Sequence, residues 1–403
     1  MNQRDMRPPF AALGGTIPPE LEKLPTPCYL LDEAALTRNA EILGGLAQRT
    51  GCKVLLAQKA FSNYDCYPLL APHLAGTEAS GLFEARLGAE EMPGKEVHVF
   101  CAAYRADEMD ELVQYADHIV FNSPAQLAKF SPAAKAAGKS VGLRINPECS
   151  TQDGHAIYDP CAPGSRLGTT RAQWNAAVAA NPALPNLLDG LHFHTLCEQD
   201  SDALATTLDA VAQKFGDLLP RMQWINFGGG HHVTRPGYDI ATLERCITRA
   251  QQDWGVTVYL EPGEACALNA GFLLSRVLDV VQNGDTTIAI LDASAACHMP
   301  DVIEMPYRPP LFAAAEPGEK PCTVRLAGPT CLAGDVIGDY GVDAVPNVGD
   351  LLVFGDMAIY TTCKNNTFNG MPLPAIFART ASGTTRSIVS FGYEDFKYRL
   401  GKR

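Results

Sequence analysis

The sequence predicts an α/β domain followed by a β domain: a (β/α)8 barrel over residues 26–268, then an all-β, sandwich-like region over 269–403 to which residues 1–25 can contribute. Three observations predict it. Eight short apolar runs of strand length alternate with stretches of helical period. Polar and charged residues collect at the carboxyl ends of those runs, where a barrel carries its active site. After Leu268 the helical period disappears and short alternating runs broken by Pro and Gly take over.

In chain order, residues 26–32 read as an extended segment, and 33–50 repeat apolar residues (Leu36, Ile42, Leu43, Leu46) at helical spacing. The eight barrel strands are expected at 52–59, 73–80, 97–102, 118–121, 141–146, 188–194, 223–227 and 256–261, with helices at 82–90, 106–115, 125–137, 171–180 and 202–219 between them. Lys59, Arg144, Asn146, His194, Gly228 to Gly230 and Glu261 all fall at or just past a strand end. In the second region the runs 273–281, 286–291, 322–327, 351–354 and 376–380 read as strands. The proline-dense stretch 299–318 reads as a long loop suited to binding residues, and the basic tail 394–403 as a surface element.

Composition narrows the classes. Of 403 residues 46% are hydrophobic and 19% charged, as in an ordinary globular chain. No apolar run approaches the roughly 18 residues that span a bilayer, and the opening MNQRDMRPPF has no apolar signal core, so a cytoplasmic protein with no membrane partner is expected. The thirteen cysteines show no C-x-x-C pair and no regular spacing, which argues for reduced thiols and against a disulfide framework or a structural zinc. A formal charge of −13 disfavours nucleic acid and is compatible with a cationic ligand.

Four constellations carry chemistry, besides Lys59 at the end of the apolar run VLLAQKAF. A lysine there either snorkels to solvent or, partly desolvated, gives up its proton and attacks a carbonyl. Phe227-Gly-Gly-Gly-His231 follows the seventh strand, where a side-chain-free loop can close its amides round an anion or simply make a tight turn. Glu261-Pro-Gly-Glu264 ends the eighth strand and is either a polar turn or a fixed negative charge that holds a heteroaromatic nitrogen protonated. His192-Phe-His194 puts two imidazoles on one strand face, suited to a metal, to stacking of a neutral ring on an aromatic ligand, or to plain packing. No further His and Asp ligands appear at later strand ends, so no metal is expected. Gly328-Pro-Thr-Cys331-Leu-Ala-Gly-Asp335 sets a thiol on a loop, either inert or available as an acid or base.

Taken together, AQKAF, HFHTLCE, NFGGGHH, LEPGEA, GPTCLAGDVIGDY and FGDMAIYT closely resemble the carboxynorspermidine (carboxyspermidine) decarboxylases, and the resemblance runs from about Thr26 to Phe377. These belong with the ornithine and diaminopimelate decarboxylases to the pyridoxal-phosphate enzymes of the alanine racemase fold. The resemblance implies that Lys59 holds pyridoxal phosphate covalently, that His194 stacks on its ring and that Glu261 faces its pyridine nitrogen. It implies that Gly228, Gly229, Gly230 and Tyr360 bind its phosphate, and that Arg144 helps place the glutamate or the cofactor. It further implies a homodimer with shared sites, in which Cys331 reaches the partner's site and reprotonates the substrate carbon after carbon dioxide leaves.

The sequence departs from that wider family. Glu264 stands where ornithine and diaminopimelate decarboxylases commonly carry Arg, Cys197 where ornithine decarboxylases have Ser, and Leu332 where they have Asp. The task of that Asp, gripping a distal amine, then passes to Asp335 or to Asp301 and Glu304 of the long loop, with Glu264 and His298 as further substrate contacts. The expected reaction is decarboxylation of carboxynorspermidine or carboxyspermidine to norspermidine or spermidine. The alternatives are a diaminopimelate- or ornithine-type decarboxylase, a racemase, and a non-enzymatic cofactor-binding homologue.

Overall fold

The computed structural model describes residues 10, 13, 16–152 and 159–402; the first nine residues, on which the lack of a signal core was read, lie outside them. The chain divides into two units, Arg38–Lys59 with Cys66–Cys266, and Met1–Thr37 with Ala60–Asp65 and Ala267–Arg403. One division falls between Cys266 and Ala267. The segment 26–37 and the six residues after Lys59 fall in the second unit, where the first strand, β1 (Cys28–Asp32), pairs within the mixed sheet.

In the first unit eight parallel strands close a barrel: β2 (Lys53–Ala57), β3 (Gly76–Ala79), β4 (Glu96–Phe100), β5 (His118–Phe121), β6 (Ser140–Arg144), β7 (Gly190–His192), β8 (Trp224–Asn226) and β9 (Thr257–Leu260), the last pairing back to β2. All eight expected runs are present; β5 matches its expected span and the other seven are shorter. Trp224 fills part of the interior, packed with Leu55, Val120 and Tyr259. Two glycines on neighbouring strands make room for it: a Cβ on Gly190 would lie 2.1 Å from the indole and one on Gly142 2.4 Å. The indole Nε1 donates to Ser140 Oγ at 2.8 Å, so the buried ring leaves no orphan donor.

Where β4 and β5 begin, Glu96, His98 and His118 fall within ligand distance of one another, a metal-like grouping the sequence reading did not anticipate. Its geometry is that of packing. The two imidazoles stack with centroids 3.9 Å apart and planes only 10° apart, so their lone pairs run parallel rather than converge on an ion. The Glu96 carboxylate is already taken by Lys53, by Tyr259 Oη at 2.9 Å and by His98 at 3.1 Å. Burial works to raise the Glu96 carboxyl, but His98 and Lys53 outweigh it and hold it at about 2, below the ordinary 4.5. A depressed acid stabilises the fold above its unfolded value and loses that contribution as the pH falls toward 2. Glu96→Gln is therefore expected to cost about 1–3 kcal/mol at pH 7 and progressively less below pH 4.5, as read by urea unfolding of both proteins. A gap that does not close on acidification would contradict this account.

The second unit is an eight-stranded mixed sheet. Its remaining strands are β10 (Gly271–Asn283), β11 (Thr286–Leu291), β12 (Cys322–Ala327), β13 (Val336–Val342), β14 (Leu351–Gly355), β15 (Ala375–Arg379) and β16 (Thr385–Val389). The order is β13-β12-β11-β10-β1-β15-β16, with β14 also pairing β10. A core of Leu13, Leu21, Cys28, Leu30, Phe272, Leu274, Leu351 and Val353 packs on it. The thirteen cysteines are free thiols. No helix among the described residues is long and apolar enough to cross a membrane.

Candidate active site

The groups at the barrel mouth can be built strand by strand. Lys59 follows β2 by two residues, and its Nζ stands 3.3 Å from Oε2 of Glu78, buried in β3. The Gln58 amide donates to the Glu78 carbonyl at 3.0 Å, which keeps lysine and carboxylate in step. Burial pulls the Lys59 pKa down, but Glu78 and Glu261 outweigh it and leave it raised. This corrects the expectation that desolvation alone loosens the lysine's proton: two carboxylates hold it. Burial in turn lifts the Glu78 carboxyl to about 7 against the opposing pull of Lys59. A carboxyl so raised, beside an amine, is placed to exchange a proton with it. The sequence reading missed Glu78; a lone acid inside an otherwise apolar or small-residue run was the available signal.

Glu261 follows β9. Its Oε2 lies 3.0 Å from His192 Nε2, and its Oε1 accepts from Asn226 Nδ2 at 2.6 Å. Burial would raise this carboxyl; His192 and Lys59 more than offset it and hold it at about 2. His192 is itself lowered by burial, against the pull of Glu261. The result is a buried anion gripped by a neutral donor. His192 and Asn226 are what aim it, and the HFH and INF motifs carried that information only once paired with Glu261.

His194 sits just beyond β7. The Gly229 N–H donates to its Nδ1 at 3.1 Å, so that nitrogen carries no proton and the ring is neutral. Burial, then Lys59 and Arg144, push its pKa well below the usual value in agreement. Arg144, at the end of β6, donates to the His194 carbonyl at 3.1 Å, and its guanidinium lies 4.5 Å from the Phe100 ring centre. Burial lowers it to about 10, still cationic at neutral pH.

The glycine triplet is sterically required. Gly228 and Gly230 have φ of +71° and +83°. A Cβ would meet the Phe193 carbonyl at 2.5 Å from Gly228, the Glu261 carbonyl at 2.6 Å from Gly229, and the Leu196 carbonyl at 2.1 Å from Gly230. Two amides of the loop point inward, Gly228 N to Asn226 Oδ1 at 2.9 Å and Gly229 N to His194, so Gly230 is the glycine whose amide these side chains do not take. An amine, a neutral imidazole, a buried carboxylate and a loop without side chains, converging on one barrel end, fit a phosphorylated aromatic aldehyde such as pyridoxal phosphate. Glu264 lies 4.0 Å from His232.

The remaining candidates lie in the sheet unit. Tyr360 has φ of +48°, and its amide donates to the carbonyl of Ala60, the residue after Lys59. Cys331 is exposed. Two nominated substrate contacts are displaced by what they touch. Asp335 is 3% exposed, and its carboxylate is filled by Ser294 Oγ, the Ala296 amide, and the Thr330 amide and hydroxyl. His298 is fully buried, with Nδ1 accepting from the Ser294 amide and Nε2 facing the Pro372 carbonyl at 3.1 Å; burial lowers it to about 4. Both are structural. Asp301 and Glu304 share the Lys364 ammonium, a cation the sequence reading overlooked, so neither stands as a bare acid for an amine.

A family model described as pyridoxal-dependent decarboxylase, C-terminal sheet domain, matches residues 28–358. A carboxynorspermidine/carboxyspermidine decarboxylase of Campylobacter jejuni is 40% identical over 389 residues, covering 94% of this chain and 99% of that protein. A carboxyaminopropylagmatine decarboxylase of Synechocystis is 43% identical over 384 residues, covering 95% and 97%. Among solved structures, carboxynorspermidine decarboxylase from Campylobacter jejuni complexed with norspermidine is similar at a TM-score of 0.85 and 38% identity, covering 93% of this chain and all of that one.

Proposed function

The chain belongs to the pyridoxal-dependent decarboxylases, and from that premise we propose that it removes the α-carboxylate of carboxynorspermidine or carboxyspermidine, yielding norspermidine or spermidine. The observation that carries the substrate class is the match to a carboxynorspermidine decarboxylase over that protein's full length, in a structure that holds norspermidine. The chain's alternatives of diaminopimelate and ornithine are disfavoured by Glu264 and Leu332, which replace the residues expected there.

Pyridoxal phosphate, when bound, supplies an electron sink for the pair released as the carbon–carboxylate bond breaks. Lys59 anchors it through Nζ, and Glu78 Oε2 receives and returns the proton that Nζ must shed to become nucleophilic. Glu261, kept anionic by His192 and Asn226, presents a fixed negative charge to the pyridine nitrogen. His194, kept neutral by the Gly229 amide, offers a flat uncharged face for stacking. The loop at Gly228, Gly229 and Gly230 takes the phosphate, while Arg144 braces the His194 backbone. Cys331 of the partner subunit gives its thiol proton to the carbon left by carbon dioxide and is reprotonated from solvent. A homodimer is thereby proposed, supported by the exposed apolar neighbours Leu332 and Phe368 around the thiol loop, 43% and 45% exposed.

A second reading has its own support: the 43% identical Synechocystis relative suggests carboxyaminopropylagmatine, which ends in a planar guanidinium instead of an ammonium. Carbon dioxide release from a panel of carboxynorspermidine, carboxyspermidine, carboxyaminopropylagmatine, diaminopimelate and ornithine separates these. One of the first three is expected to exceed the last two in kcat/KM by at least about 10³-fold. Equal turnover of diaminopimelate would sink the proposal.

A further inference from the structure

The loop that carries Cys331 is fixed unevenly. Its base is tied down by hydrogen bonds: the buried Asp335 carboxylate joins Ser294, Ala296 and Thr330, and the Gly328 amide donates to the Asp335 carbonyl at 2.9 Å. Gly328 is confined too, since a Cβ there would lie 2.2 Å from Asp335 Oδ2. Its tip, residues 331–334, is exposed throughout. Within the loop the tip is closed by the Asp335 amide on the Leu332 carbonyl at 2.9 Å. Among the described residues, the hydrogen bond that reaches the tip from outside the loop is Cys331 N–H to Asn369 Oδ1, at 2.8 Å.

Asn369 is itself held in an unusual way. Its φ and ψ are 58° and 15°, the left-handed region, where asparagine is among the least strained of residues with a side chain. The turn around it is pinned by Asn366, whose Oδ1 accepts from the Phe368 amide at 3.0 Å and whose Nδ2 donates to the Ala296 carbonyl at 2.8 Å. Ala296 also donates its amide to Asp335. One short framework, residues 294–297, therefore braces both the base of the thiol loop and the turn that grips its tip. A lone exposed hydrogen bond adds little to folding, so its use lies elsewhere.

We propose that Asn369 is a positioning residue for Cys331, fixing through the Cys331 amide where the thiol stands. The inference rests on Cys331 as the proton donor, and a proton delivered to carbon needs a donor held to a fraction of an ångström. Nothing in the sequence pointed to it.

The test uses purified full-length enzyme. Asn369→Gly keeps the left-handed backbone but removes the acceptor; Asn369→Asp keeps both. The glycine variant is expected to lose about tenfold to a hundredfold in kcat, with KM within about twofold and faster hydrogen exchange at the Cys331 amide. The aspartate variant is expected to recover most of kcat and the amide protection. Cys331→Ala is run beside them. If it keeps full kcat, the proton-donor reading falls and the inference with it. If it is impaired while Asn369→Gly keeps full kcat, the positioning inference alone is overturned. Should the glycine variant not fold, Asn369→Ala is read the same way, and failure of both to fold assigns Asn369 to stability and overturns the inference.

Discussion

Lys59→Ala is expected to abolish turnover, by at least about 10²-fold, together with the visible absorption that covalent attachment of pyridoxal phosphate gives. The physical reason goes beyond the missing nucleophile. Lys59 is the cation that both Glu78 and Glu261 lean on, since each carboxylate acts to raise its pKa. Without it the two carboxylates lose a cation they share, and the Glu78 carboxyl, already raised by burial, rises further. A variant that retained the visible band and its activity would remove Lys59 from the site altogether.

The second large effect concerns the shared site. Lys59→Ala and Cys331→Ala homodimers are each expected to be inactive. Mixed dimers should recover up to about a quarter of wild-type turnover, because random pairing gives half heterodimers, each with one of two sites intact. The measurement is activity after unfolding and refolding the two variants together, with heterodimers verified by differential tags. Verified heterodimers without activity would return Cys331 to its own subunit or deprive it of a role.

How much of this was legible in the sequence follows from what each signal depends on. The barrel was readable because burial on both faces forces near-continuous apolar runs such as Val54 to Ala57, and because polar residues cluster at strand ends. Lys59, His194, Glu261 and the glycines were readable for the same reason: they interrupt an apolar pattern at one fixed place. Glu78 was not, since a single acid in a short strand carries no periodic mark. The assignment of β1 to the sheet was also hidden, because a five-residue apolar strand reads alike in either unit. The acids nominated for the distal amine failed for a different cause. Asp335 has a charge that sequence exposes and partners that only folding reveals, and Lys364 lies 60 residues beyond Glu304 along the chain.

Asn226 has two hydrogen bonds that serve different purposes. Its Nδ2 steadies Glu261, and its Oδ1 accepts from Gly228. A single amide thus ties the carboxylate proposed to face the ring nitrogen to the loop proposed to hold the phosphate. Under that proposal the two recognitions are yoked: a shift of this side chain that loosens one end of the cofactor loosens the other in the same movement. A chain built this way cannot trade affinity for the phosphate against electronic control of the ring by altering that position, and must make any such adjustment at residues bearing on one end alone.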